Sequence, residues 1–126
     1  MFITYLGIPV LWTIGIVILY GVPPDEIPNS GVSIDKAVHL VMFMVMVHTW
    51  AVYYRKQLIK ERLRNNALKI ALIQSAIAAT FLELTQGMIF VGRTTDYRDL
   101  IANLIGCLCG LALFRLIYGK ELTYNV

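Results

Sequence analysis

Asp35 and His39 stand four residues apart in the stretch SIDKAVHLV, so on a helix a carboxylate and an imidazole share one face. Such a pair suits general acid–base work, with the carboxylate orienting the ring. Lys36 lies between them. Further along, Glu83 and Gln86 are three apart, and Asp96, Asp99 and Asn103 follow at steps of three and four, again one helical stripe. The carboxylates Glu83, Asp96 and Asp99 are candidate ligands for a divalent cation, which takes oxygen donors and screens phosphate charge. Arg93 and Lys36, with Arg98, are candidate anchors for a phosphate, arginine through its bidentate fork. The chain has no Ser-His-Asp order, zinc motif or P-loop that would name a reaction.

The elements that must position these groups are membrane spans. Apolar residues make up 58% of the 126, charged residues only 15%, where about 25% charge is usual for a soluble domain. The mean hydropathy is +0.68. A chain this short has too much surface to be dressed so sparsely in water, which excludes a soluble enzyme, a disordered tail and a nucleic-acid binder. Its two Cys residues imply no disulfide framework. A spanning helix needs about 20 mostly apolar residues, and four stretches supply them: about 2–22, 35–54, 68–91 and 97–118. The first contains no charged side chain and lacks a basic start and cleavage site, so it reads as a retained span rather than a signal. Pro9 inside it is tolerable in a bundle. PPDEIPNSG then breaks the helix and RKQLIKERLRNN forms a basic loop or short interfacial helix. The expectation is all-α: a single domain over 1–126, an integral membrane four-helix bundle.

Lys and Arg set its direction, because cytoplasmic loops carry the excess. Eight of the eleven, Arg55, Lys56, Lys60, Arg62, Arg64, Lys69, Arg115 and Lys120, fall on one side; Lys36, Arg93 and Arg98 fall on the other. Both termini are therefore expected in the cytoplasm, and Asp35, Lys36, His39, Glu83, Gln86, Arg93, Asp96, Asp99 and Asn103 gather in the outer half. Ionisable groups at membrane depth are costly and mark function by default. Each pair also has a plain reading: Glu83 with Arg93, or Asp96 with Lys36, can simply close the interior. His48 reads as a packed or helix-bridging histidine, Met42, Met44 and Met46 as lipid-facing or core, and Cys107 and Cys109 as buried small residues. Gly106 and Gly110 form a G-x-x-x-G face for close helix packing.

The ordered set Asp35-Lys36-x-x-His39, Glu83-x-x-Gln86, Arg93, Asp96-x-x-Asp99 and Asn103-x-x-Gly106-x-x-x-Gly110 resembles the VanZ-like family of small bacterial membrane proteins. The resemblance covers roughly residues 33–110. Family members often carry a Pro before the Gly-Arg of the outer loop, where this chain has Val91. The resemblance implies a multi-pass protein of the bacterial inner membrane and, through the family's namesake, an association with teicoplanin resistance. It supports the choice of site residues and leaves the chemistry open.

Three functions fit these residues. The first is a pocket that binds an anionic envelope lipid, cell-wall precursor or related ligand without turning it over. The second is a membrane enzyme on a phosphate-bearing lipid, with His39, Asp35 and Glu83 catalytic and Lys36, Gln86, Arg93, Asp96, Asp99 and Asn103 binding. The third is a small structural subunit of a larger envelope complex or oligomer. A divalent cation is the candidate cofactor, and membrane lipids are expected partners whereas nucleic acid is not.

Overall fold

The computed structural model describes residues 2–21, 32–57, 59–89 and 97–124. Among them the chain forms five helices and no strand: α1 (Phe2–Gly21), α2 (Val32–Lys56), α3 (Glu61–Asn65), α4 (Ala67–Ile89) and α5 (Tyr97–Tyr124). Lys36–Lys56, Ala67–Met88 and Tyr97–Tyr118 are each long and apolar enough to cross a membrane. The 20 residues of α1 reach about 30 Å at 1.5 Å per residue, close to the thickness of a hydrocarbon layer. The basic connection holds the short helix α3, held to the end of α2 by Gln57. Its Oε1 accepts the N–H groups of Ile59 and Lys60 at 3.1 and 2.8 Å.

Two helices run past the limits that hydropathy suggests, α2 starting at Val32 and α5 continuing to Tyr124. Apolarity marks where a helix lies in lipid and does not stop it: backbone bonding continues into residues that lie in water.

Side-chain size at four-residue steps explains the packing. On α4, Ala67, Ala71, Ser75, Ala79 and Glu83 recur every fourth position and all are buried. Small residues on that stripe let α4 approach its neighbours closely, and the stripe ends on the carboxylate. On α2 the buried stripe is His39, Phe43, Val47, Ala51 and Arg55, polar at both ends and apolar between. On α5 it runs through Asp99, Asn103, Gly106, Gly110 and Phe114. The faces turned away carry large exposed apolar side chains, such as Ile73, Ile77, Phe81, Leu84 and Met88 on α4 and Ile101, Ile105 and Leu108 on α5. In water such a surface would aggregate; in lipid it needs no cover, which makes the chain a helical membrane bundle.

α2 and α5 make the most extensive helix pair, and the two glycines are the reason. A Cβ on Gly106 would stand 3.0 Å from the Cα and carbonyl carbon of Leu40, and one on Gly110 would meet the Met44 carbonyl oxygen at 2.5 Å. Backbone cannot swing aside, so the helices would have to separate. Gly106→Ala is expected to cost about 1–3 kcal/mol as overpacking, read as an earlier unfolding midpoint in a denaturing-detergent titration. Gly15, with open space where its Cβ would be, is the control: Gly15→Ala should hold or raise the midpoint, because glycine inside a helix is entropically costly.

α1 is tied to α2 by two indoles. Trp12 Nε1 donates to the Met42 carbonyl at 2.9 Å, and Trp50 Nε1 donates to Thr13 Oγ1 at 3.0 Å. Thr13 in turn donates to the Pro9 carbonyl at 2.7 Å, in the turn that follows the proline. These ties set the register in which Tyr20, at the far end of α1, meets α2 and α5. The expected packing roles of Met42, Met46 and Cys107 correspond to core positions, and both cysteines are free. His48 is helix-bridging, its ring stacked on Tyr118 with centroids 5.8 Å apart.

Candidate functional site

The polar ends of the three stripes and the last full turn of α1 meet in one place. His39 and Lys36 come from α2, Glu83 from α4, Asp99 and Asn103 from α5, and Tyr20 from α1. Glu83 and Asn103 are 0% exposed, Tyr20 2%, Gln86 3%, His39 8% and Asp99 9%. Each stands where it does because the four-residue step that turns its helix inward places it on the interior face.

A hydrogen-bond chain with a single direction links four helices. Asn103 Oδ1 lies 2.9 Å from His39 Nδ1, which also stands 3.3 Å from the Tyr20 hydroxyl; the amide oxygen only accepts, so this bond belongs to the Nδ1-protonated tautomer. Asn103 Nδ2 donates to the Tyr20 hydroxyl at 2.7 Å. Tyr20 O–H then donates to Glu83 Oε2 at 3.3 Å. The chain begins on an imidazole and ends on a carboxylate, each member satisfied by the next, as buried polar networks must be. The Tyr20 and His39 rings also meet edge to face, with centroids 5.6 Å apart.

With Nδ1 committed to Asn103, a neutral His39 carries its lone pair on Nε2. That nitrogen lies 3.9 Å from Asp99 Oδ2, while Asp99 Oδ1 takes a hydrogen bond and ion pair from Lys36 Nζ. His39, Glu83 and Asp99 each offer one donor atom within 4.8 Å of the others. Two donors on opposite sides of an ion with bonds of about 2.3–2.6 Å are about 5 Å apart, so one divalent cation can touch all three. Their supports match those of a ligand shell. Asn103 contacts one nitrogen of His39, Tyr20 donates to one oxygen of Glu83 and Lys36 to one oxygen of Asp99, contacts of the kind that orient ligands around a metal.

The site brings together five of the residues that the sequence singles out: Lys36, His39, Glu83, Asp99 and Asn103; Gln86 is buried nearby on α4, one turn beyond Glu83. Arg93, Asp96 and the side chain of Asp35 lie outside the described residues, so the proposed Glu83–Arg93 and Asp96–Lys36 pairs and the metal-ligand role of Asp96 do as well. Arg98 is exposed beside Tyr97, 6.0 Å from its ring centroid. Tyr20 is the site residue that sequence reasoning missed. Its signal was depth: it lies in the last turn before PPDE, at the level expected of Asp35–His39 in the next helix.

With that geometry in place, comparison with known proteins gives one match. The family model described as VanZ/LLP1 matches residues 4–118, which takes in α1 and Tyr20 as well as the polar stripes. No curated protein matches, and no solved structure does.

Proposed function

The chain belongs to the VanZ/LLP1 family, and from that premise we propose that its buried cluster binds a phosphate-bearing envelope ligand through a divalent cation. The observation that carries this reading is the triad His39, Glu83 and Asp99, with donor atoms within 4.8 Å inside an apolar bundle. Charge gives the cation its part. Lys36 supplies one positive charge against the two carboxylates, so with His39 neutral the described cluster is net negative and repels an anionic head group. A divalent cation reverses that sign and offers the phosphate an open coordination position.

The excess of Lys and Arg at the opposite end of the helices supports placing both termini in the cytoplasm and the cluster at the outer face of a multi-pass protein in the bacterial inner membrane. The ligand class is then an anionic envelope lipid or a lipid-linked cell-wall precursor. Where that ligand is a cell-wall precursor, teicoplanin resistance of the kind the family resemblance implies follows from its capture and is lost with the cation.

One observation favours a catalytic reading as the second choice. In that reading Glu83 and Asp99 alone hold the cation, and His39, with Nδ1 turned to Asn103, uses Nε2 to take a proton from water beside the cation-held phosphate. Turnover of a phosphate-bearing lipid by the wild type, lost in His39→Ala while Glu83 and Asp99 still retain metal and lipid, would select the enzyme over the binder, in which His39→Ala weakens retention of both.

Metal removal tests the proposal. The protein equilibrated separately with Mg, Ca, Mn or Zn and then gel-filtered is expected to keep about one equivalent of at least one of them by elemental analysis. Chelation should strip it and leave the helical circular-dichroism signal in place. No retained metal under any of the four conditions would refute the cation.

A further inference from the structure

Opposite the polar cluster, the end of α2, α3, the start of α4 and the second half of α5 surround a cleft of about 320 Å³ lined by Arg55, Arg64, Lys69 and Arg115, with Leu68, Leu72 and Leu111 as its apolar wall. The volume lies at the lower limit of ordinary small-molecule sites. No Asp or Glu is among the described residues that line it. We propose that this cleft is a second binding site, distinct from the His39 cluster, for the phosphate head group of an anionic membrane lipid.

Five features lead to that ligand. The cations converge from separate elements: Arg55 ends the buried stripe of α2, Arg64 belongs to α3, Lys69 to the first turn of α4 and Arg115 to α5. Arg55 is 5% exposed, and its Nη1 donates to the Arg64 carbonyl at 3.0 Å, so its guanidinium is held in place at the cleft. The cleft includes Ala67 and Leu68 at the start of the 23-residue α4, where backbone N–H groups and the positive end of the helix dipole add to the side-chain charge. Depth selects a lipid over a free anion. Arg55 lies one residue from the end of the Lys36–Lys56 span, Lys69 near the start of Ala67–Met88 and Arg115 near the end of Tyr97–Tyr118, which is head-group level. On α5, Leu108 lies one turn from the wall residue Leu111 and is exposed, a surface suited to acyl chains. Excess positive charge at this end already follows from topology. Topology does not require a cleft, a buried arginine or a leucine wall.

The test uses the full chain in nanodiscs of phosphatidylcholine with a minor fraction of phosphatidylglycerol, followed by native mass spectrometry of the lipid retained after release. Wild type is expected to retain phosphatidylglycerol over phosphatidylcholine, with or without chelator. Lys69→Gln/Arg115→Gln, which changes two exposed side chains, should weaken retention by about fivefold per charge removed, near 25-fold for the pair. Arg115→Gln alone, expected to lose about fivefold, serves if the double variant does not fold. Equal retention of the two lipids, or unchanged retention in the variants, would overturn the proposal. Displacement of the lipid by millimolar inorganic phosphate would overturn the lipid assignment and identify a soluble phosphate as the ligand. Loss of retention on chelation would assign the lipid to the His39 cluster instead.

Discussion

Glu83→Gln is expected to leave the bundle folded and to weaken divalent-cation binding by at least about 100-fold. The buried side chain keeps its shape, and its amide oxygen still accepts the Tyr20 hydroxyl, so the hydrogen-bond chain from His39 survives. What disappears is one negative ligand. Losing a mere supporting partner of a metal ligand already costs about 10–100-fold in affinity, and the loss of a ligand itself should exceed that. Isothermal titration of the stripped protein with the metal it retains measures the change. Glu83→Ala is the contrast. It empties a fully buried position and takes away the acceptor of the Tyr20 O–H, and its destabilisation of about 3–5 kcal/mol combines cavity and unmet hydrogen bond. A cluster that serves structure alone would show no metal titration in the wild type.

Lys36→Met is the second large effect, on stability rather than binding. It leaves Asp99, 9% exposed, beside Glu83 without its principal cation. Breaking one side of a buried ion pair costs about 3–5 kcal/mol, and the lower end applies here because the Lys36 side chain is 24% exposed. Lys36→Met/Asp99→Asn should recover most of the loss, since removing both charges also removes the desolvation they required. The unfolding midpoints of the two single variants and the double form a cycle. A coupling near zero would show that Lys36 and Asp99 do not hold one another.

The four long helices were legible because lipid selects composition directly: an uncharged or nearly uncharged run of about 20 residues has few other places to be. The inward face of α4 was also legible in principle, since Ala67, Ala71, Ser75, Ala79 and Glu83 spell out a small-residue stripe that ends on the carboxylate. Partner identity was not. Asp35 and His39 share a helix face, but spacing within one helix shows only that two side chains lie near each other. The group that fixes the His39 tautomer, Asn103, arrives from a helix 64 positions later. Lys36 likewise has candidates at both Asp96 and Asp99 by stripe alone, and it is the register set by Gly106 and Gly110 against Leu40 and Met44 that brings Asp99 to it.

Tyr20 and the basic cleft escaped the sequence for one shared reason. Each belongs to a residue class with an ordinary explanation in a membrane protein. A tyrosine near a helix end reads as an interfacial anchor, and arginines in a loop read as topology. Their other role appears only once separate helices have been packed, with Tyr20 between His39 and Glu83 and Arg55 against the carbonyl of Arg64. The two polar ends of α2 are 16 residues apart, about 24 Å along the helix. The protein thus presents a carboxylate–imidazole cluster at one membrane face and a cation cleft at the other.

Mass spectrometry of extracted lipid separates a ligand site from a merely structural polar core. It is best made in the Lys69→Gln/Arg115→Gln background, so that lipid held by the basic cleft does not count. The metal-loaded chain, purified in mild detergent, should carry about one phosphate-bearing lipid per chain, released by chelation and absent when Glu83→Gln is added. Retained lipid that neither chelation nor Glu83→Gln alters, or no enrichment of a phosphate-bearing lipid at all, would contradict a cation-mediated head-group site at His39, Glu83 and Asp99.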